Sequence, residues 1–365
     1  MSTQPVANER IITLADAIRE GITEAFARDD STFLIAQGVT DPSSMWGTIK
    51  GIGNRFGEDR VVEMPIAENG AVGIAIGAAI NGQRPIVSFH RVEFALLAIE
   101  QIVNNAAKSH YISNGQHKVP IVIRMVIGRG WGQGPEHSQS LEPLFSYFPG
   151  LKVAMPAFAA DAKGMLIAAI EDDNPVIFLE HRFLHYSTGH VPEGYYKNPL
   201  DGPRVIREGK DVTIVATSHA VLEAMRAADV LRDIGVSTEV IDLRVLRPLN
   251  MAPIMASVKK TGRLMTIDTG FIKYGIGAEL IATITSDAFG VLRGAPVRLG
   301  LPDHPTPSSR GMIPGFYPDA QRVVREVGKM LDLDSGKIAG PLKVLEEQRK
   351  NIPLDVPDPF FKGPF

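Results

Sequence analysis

Two side chains in this sequence stand where their types and surroundings could do chemistry. Glu68 lies in Met64-Pro65-Ile66-Ala67-Glu68-Asn69-Gly70, where an apolar stretch hands over to a run of small residues that includes Gly70, Ala71, Gly73, Ala75, Gly77, Ala78 and Ala79. Small side chains let a second backbone or a flat ligand come close. A carboxyl group at such a junction can donate and accept a hydrogen bond when it is neutral, which is what proton transfer uses. The same glutamate also reads as a helix N-terminal residue favoured by the helix dipole. His137 follows the glycine-rich loop Gly128-Arg129-Gly130-Trp131-Gly132-Gln133-Gly134-Pro135, within Gly134-Pro135-Glu136-His137-Ser138-Gln139-Ser140. Loops this long and this rich in glycine usually carry function or move. An imidazole titrates near neutrality and suits a proton carrier, although a single histidine is as readily structural.

These residues must be positioned by alternating strands and helices. Leu14, Ile18, Ile22 and Phe26 recur every four residues, which predicts a helix capped by Thr13. Strands are expected at 33–36, 61–64, 85–89, 119–127, 152–156 and 175–180, with helices from Glu68, over 93–110 and over 160–171. A Pro-, Gly- and Tyr-rich passage from Ser187 to Pro203 reads as a linker. Beyond it strands are expected at 212–216, 237–242 and 264–268, and helices at 219–231, 277–285 and 319–331. Alternation of this kind predicts an α/β chain of two doubly wound domains on parallel sheets, cut at 1–186, 187–203 and 204–334. Residues 335–365 lose all pattern and form a C-terminal extension, read either as a surface strap or as a segment whose Phe360, Phe361 and Phe365 dock on a partner subunit.

Composition narrows the function classes. The chain has 365 residues, 44% hydrophobic and 22% charged, which is ordinary for a globular protein of two domains. A formal net charge of -3 gives no electrostatic reason to expect nucleic acid or an anionic membrane. There is no cysteine, so disulfides and thiolate metal sites are excluded. No apolar run reaches the ~18 residues of a membrane span, and the polar first ten residues lack the apolar core of a signal peptide. A cytoplasmic protein is expected.

The motifs in order carry a family resemblance. Arg60-Val61-Val62-Glu63-Met64-Pro65-Ile66-Ala67-Glu68, Gly73-Ile74-Ala75-Ile76-Gly77-Ala78-Ala79, Arg84-Pro85-Ile86 and Ala98-Ile99-Glu100-Gln101-Ile102-Val103-Asn104-Asn105-Ala106-Ala107-Lys108 are followed by His137-Ser138-Gln139-Ser140, Pro149-Gly150-Leu151-Lys152-Val153, Asp161-Ala162-Lys163-Gly164, Asn174-Pro175-Val176 and Val240-Ile241-Asp242-Leu243-Arg244. Over roughly residues 10 to 333 the chain resembles the beta subunit of thiamine-diphosphate-dependent 2-oxo acid dehydrogenases of the pyruvate, branched-chain and acetoin type. The resemblance implies a pyrimidine-binding domain followed by a transketolase C-terminal-like domain. It implies that Glu68 hydrogen-bonds the pyrimidine ring of thiamine diphosphate and activates it, that Phe94 packs on that ring, and that His137 faces the substrate and the incoming acyl acceptor. It also implies that Ile121, Ala169, Asp172 and Asn174 hold a monovalent cation, potassium. Asp172-Asp173-Asn174-Pro175 equally reads as a plain helix-to-strand turn.

One absence shapes the expected assembly. Thiamine enzymes hold the diphosphate and its magnesium with a GDG motif followed by a distant Asn, and this sequence has no GDG. The resemblance therefore implies an alpha subunit that carries the GDG motif and the magnesium, in a heterotetramer of two alpha and two beta chains. The chain alone is then inactive, and a lipoyl acyltransferase is the expected acceptor. Two departures bear on the substrate. Ala36-Gln37-Gly38-Val39 stands where many relatives have an acidic segment, and Ser88-Phe89-His90-Arg91-Val92-Glu93 carries an unusual His-Arg pair that reads either as a reader of a polar or anionic substrate or as a surface turn. Gly134-Pro135-Glu136-His137 is also similar to a transketolase motif, which leaves the C-terminal subunit of a split transketolase as an alternative. A non-catalytic scaffold subunit is the second.

Overall fold

The computed structural model describes residues 10–41, 44–129 and 132–356. Phe360, Phe361 and Phe365 lie outside them. In chain order the elements are β1 (Ile11–Thr13), α1 (Leu14–Arg28), β2 (Thr32–Ala36), α2 (Ile52–Phe56), β3 (Val61–Glu63), α3 (Glu68–Ile80), β4 (Arg84–Phe89), α4 (Val92–Ala95), α5 (Ala107–Ile112), β5 (Val122–Ile127), α6 (Glu142–Tyr147), β6 (Lys152–Ala154), α7 (Ala159–Ile170), β7 (Val176–His181) and β8 (Thr188–His190). They continue as β9 (Arg204–Arg207), β10 (Val212–Ala216), α8 (His219–Arg232), β11 (Thr238–Asp242), β12 (Val245–Arg247), α9 (Ala252–Thr261), β13 (Leu264–Phe271), α10 (Ile276–Ala288), β14 (Val297–Leu301), α11 (Ala320–Met330) and α12 (Ser335–Arg349).

The chain forms two compact units. The first takes in the described residues up to Val126 together with Phe145–Leu200. Its strands run in the order β6-β7-β5-β4-β2-β3, and the pairs β2–β3, β2–β4, β4–β5 and β6–β7 are parallel. β4, β5 and β7 are almost wholly buried, as strands covered on both faces must be. α1 starts at Thr13, whose hydroxyl accepts from Asp16 N–H at 3.0 Å, and it lays its Ile18, Ile22 and Phe26 face against the core.

The second unit holds Ile127–Leu144 and the described residues from Asp201 onward. Its sheet runs β14-β13-β10-β11-β9, parallel except for β9 at the edge. The alternation read from the sequence is thus realised as two α/β units.

The described residues of the glycine loop and His137 group by contact with the second unit, while the cut at residue 186 remains a division of the sequence. Gly132 illustrates the contact. With φ at +69° it brings its backbone so close to Ser308 that an added Cβ would sit 2.7 Å from the Ser308 carbonyl oxygen. Three expectations change. The passage 187–203 is not a free linker. β8 pairs antiparallel with β1, Tyr196 donates to the Ala160 carbonyl at 2.9 Å, and Asn198 donates to Asp161 at 2.9 Å. The helix expected over 93–110 is broken into α4, a 3-10 turn at Leu96–Ala98, a π-helical turn at Gln101–Ala106 and α5. Such π turns re-aim side chains at the expense of helical register. The patternless extension contains α12, capped by Asp334, whose carboxylate accepts from Gly336 N–H at 2.7 Å. Pro341 inside it, with Gly336 and Gly340, hid the helix from a reading by period.

Candidate active site

Parallel pairing places Glu68. β2 lies between β3 and β4, so the residues that leave the carboxyl ends of these three strands share one edge of the sheet. In open α/β sheets that edge is where ligands bind. Gln37 follows β2, Glu68 follows β3 and His90 follows β4. Glu68 is only 4% exposed although it carries a carboxyl group and opens a helix. Gln37 Nε2 donates to Glu68 Oε1 at 3.5 Å. The carboxylate of Glu63 accepts from both Gly38 N–H and Val39 N–H at 2.8 Å, which ties down the loop that carries Gln37. Gly38 is required there. Its φ is +69°, and a Cβ would stand 2.8 Å from Asp41 Oδ2 and 3.2 Å from the His90 ring.

The small residues after Glu68 do two different things. Ala71, Val72, Ala75, Ile76 and Ala79 are buried, while a Cβ added to Gly70 or Gly77 would meet nothing within 4 Å. Gly73 faces Gln101 Oε1, 3.4 Å from where its Cβ would be. The π-helical turn supplies that contact. It also lets Gln101 Nε2 donate to Asn69 Oδ1 at 3.3 Å, so the residue beside Glu68 is positioned from this turn. Phe94 is half-buried on α4.

Arg91 is 4% exposed, which rules out the surface-turn reading for it. Burial outweighs the nearby Glu93 and pulls its guanidinium down to about 10. Trp46 lies beneath it, 5.9 Å from guanidinium carbon to ring centre, and beneath Arg182 at 5.5 Å. His90 stacks edge-on against Trp46 at 5.8 Å. Burial lowers the His90 imidazole despite the opposing pull of Asp41 and Glu63. Behind these groups Arg124 donates to Glu180 through Nε at 2.7 Å and Nη2 at 3.0 Å, and to Ser88 Oγ at 3.2 Å. Glu180 also meets His185 Nε2 at 3.2 Å. Burial alone would raise the Glu180 carboxyl, but Arg124 and His185 hold it low.

His137 is half-buried in the second unit. Gly128 N–H donates to the Gln139 carbonyl at 3.0 Å and closes the base of its loop. Gly134, at φ +66°, approaches Ser308 so closely that a Cβ would lie 2.2 Å from its Oγ. A cavity of about 480 Å³ beside it is lined by Pro135, Gln139, Phe271, Asp303, His304 and Thr306. Below the loop, Glu142 and Asp268 are both buried. Thr269 Oγ1 donates to Glu142 Oε1 at 3.3 Å, and Gly277 N–H donates to Asp268 Oδ2 at 3.0 Å. Burial, joined by the neighbouring Asp268, pushes Glu142 up to about 7, and burial pushes Asp268 up to about 6.

The four positions matched to a cation come together at the turn before β7. Asp172 Oδ1 accepts from Asn174 N–H at 2.9 Å and from Asn174 Nδ2 at 2.8 Å. Its other oxygen pairs with the Lys152 ammonium. The Ile121 carbonyl accepts from Val176 N–H at 2.9 Å and the Ala169 carbonyl from Asp172 N–H at 3.3 Å. Arg84 takes the Ile170 and Asp172 carbonyls at 3.1 and 3.0 Å. A carboxylate already neutralised by an ammonium is a poor fit for a further cation.

Comparison with known proteins gives the family and the fold. The transketolase pyrimidine-binding domain matches residues 10–186, and the transketolase C-terminal domain matches residues 203–323. The mitochondrial pyruvate dehydrogenase E1 component subunit beta of Saccharomyces cerevisiae is 38% identical over 333 residues, covering 90% of this chain and 91% of that protein. The chain belongs to the E1 component beta-subunit family. Within this family, the subunit from Rickettsia bellii is 42% identical over 288 residues, covering 79% of this chain and 88% of its own. The beta-2 subunit of Oryza sativa subsp. japonica is 40% identical over 318 residues, covering 86% and 85%. Among solved structures, a split-gene transketolase described as an inactive beta4 tetramer superposes with a TM-score of 0.69 at 23% identity, covering 88% of this chain and 99% of that one. That likeness is one of fold.

Glu68, His137 and Phe94 could be named as candidates from the sequence because they sit in motifs. Gln37, Glu63 and Gln101 were not assigned roles, since each acts through a neighbour distant in sequence. The Glu142 and Asp268 pair could have been suspected only as two acidic residues within otherwise apolar runs.

Proposed function

We propose that this chain supplies the pyrimidine-side half of the active site of a thiamine-diphosphate-dependent 2-oxo acid dehydrogenase, as its beta subunit. The buried Glu68, at the carboxyl ends of three adjacent parallel strands with Gln37 donating to it, is the observation that carries this reading. A buried carboxyl group at the head of a helix rich in glycine and alanine fits the aminopyrimidine of the cofactor. When bound, thiamine diphosphate supplies the electron sink that lets carbon dioxide leave a 2-oxo acid. Glu68 holds a proton at its carboxyl group, Gln37 orients that carboxyl, and Phe94 offers its face to a flat ring. His137 moves a proton for the substrate or acceptor.

One observation supports the alpha partner, expected to carry the GDG motif, magnesium and diphosphate. Ile66 and Ile74, flanking and on α3, are exposed apolar side chains, as a surface that a second subunit covers would be. An assembly of two alpha and two beta chains, inactivity of the chain alone and delivery of the acyl group to a lipoyl acyltransferase belong to the same reading. No helix of the described residues is long and apolar enough to cross a membrane, and a cysteine-free chain suits the reducing cytoplasm. Burial of Arg91 beside Trp46, with the half-buried His90, favours a polar or anionic 2-oxo acid.

The test is reconstitution with the GDG-bearing partner, followed by thiamine-dependent carbon dioxide release from a panel of 2-oxo acids. Release from one acid, abolished by Glu68→Ala, is the expected result. Two-carbon transfer between sugar phosphates without decarboxylation would overturn it in favour of the split transketolase.

A further inference from the structure

The transketolase C-terminal domain match ends at residue 323, yet the chain continues as an ordered segment that returns to the His137 loop. α12 packs on α8 and α11, with Pro341 and Leu345 buried. After it the chain turns back on itself. Ile352 N–H donates to the Arg349 carbonyl at 3.0 Å, and Arg349 Nη2 donates to the Val356 carbonyl at 2.9 Å. This turn delivers Asp355, which is 4% exposed. Its Oδ1 lies 3.3 Å from Arg129 Nε. Arg129 in turn lies over Tyr317, its guanidinium carbon 3.8 Å from the ring centre.

Three features mark this contact as more than a surface strap. Asp355 adopts φ +60°, a left-handed conformation that costs an L-residue energy and persists only where the surroundings hold it. The Asp355 side chain is buried and that of Arg129 is only 14% exposed, and an ion pair so withdrawn from water is expensive to break by removing one partner. Arg129 follows Gly128, whose N–H closes the base of the loop on Gln139. The pair therefore grips the loop at its root, while Ser308 meets Gly132 and Gly134 further along.

We propose that residues 335–356 are an intrachain clamp on the His137 loop and that Asp355, acting through Arg129, is its positioning residue. The catalytic consequence rests on the reading of His137 given above, while the clamp itself does not.

The test uses the full chain, alone and in the reconstituted complex. Hydrogen exchange at Gly128 N–H and tryptic cleavage after Arg129 report the loop root directly. Asp355→Asn should speed both by about tenfold or more, and Asp355→Glu should restore part of the protection. In the complex Asp355→Asn should lower kcat with little change in KM for the 2-oxo acid, as for a misplaced group. Arg129→Lys keeps the charge but loses the Nε contact, and it should loosen the loop in the same way should Asp355→Asn fail to fold. Unchanged exchange and cleavage in Asp355→Asn or Arg129→Lys would overturn the clamp. A loosened loop with unchanged kcat, while His137→Ala abolishes turnover, would overturn the positioning role. A loosened loop with full activity in His137→Ala would refute the reading of His137 and leave the clamp standing.

Discussion

Gln37 Nε2 donates to Glu68 Oε1 at 3.5 Å, joining the carboxyl ends of two paired parallel strands. Neither residue is held by its own sequence neighbours. Glu63 fixes the Gln37 loop through two backbone amides, and Gln101 reaches Asn69 from a π-helical turn. Replacing Glu68 with Ala in the reconstituted complex should lower kcat by roughly 10²–10⁴-fold, the usual contribution of a positioned proton-transfer group. Gln37→Ala should cost less, because it orients the carboxyl and does not replace it. Steady-state carbon dioxide release from the preferred 2-oxo acid measures both.

The Arg124–Glu180 pair, 1% exposed on both sides, sets a stability prediction for the first unit. Arg124→Met leaves the Glu180 carboxylate buried with only His185 and should destabilise by roughly 3–5 kcal/mol. Arg124→Met with Glu180→Leu removes both charges and should recover most of that loss. Urea titration followed by tryptophan fluorescence compares the two.

The buried Glu142 and Asp268 set a pH dependence in the second unit. Their folded values, about 7 and about 6, stand above the ordinary 4.5 and 3.8. A raised carboxyl favours the fold while it is neutral. The contribution is therefore fully present below about pH 4 and is lost as pH rises through 6 and 7. For Glu142 the change is on the order of 3 kcal/mol. Glu142→Gln should flatten stability between pH 5 and 8, as read by the melting temperature at stepped pH. An unchanged slope would show that this carboxyl is ionised in the fold.

Lys152 at Asp172 makes a potassium prediction. Its ammonium already supplies the charge that a bound cation would. The melting temperature should be the same in potassium chloride and in N-methylglucamine chloride at equal ionic strength. Lys152→Met should make it potassium-dependent. A potassium effect in the unmodified chain would place the ion in the Ile121, Ala169, Asp172 and Asn174 turn after all.

The alternating elements were legible because period and turn chemistry are local, and they set α1, β4, β5, β10 and α11 close to their observed bounds. The single helix expected over 93–110 failed because an apolar stretch does not reveal a π turn that serves Asn69 and Gly73. α12 failed because Pro341 breaks the local signal, while its stability comes from packing on α8 and α11. The His-Arg pair was ambiguous for the same reason. Nothing near Arg91 in the sequence says that it lies over Trp46, a ring that Arg182 also covers.

By itself the sequence singled out the candidate chemistry-bearing side chains, Glu68 and His137, and determined the order of strands and helices that carries them. Residue type and short-range spacing are enough for that. Only the tertiary structure decided that Gln37 serves Glu68, that Lys152 stands at Asp172, and that Asp355 grips Arg129 at the root of the His137 loop. Each of these contacts depends on strand pairing or helix packing between distant segments, and the energy that holds them is released only when those segments meet.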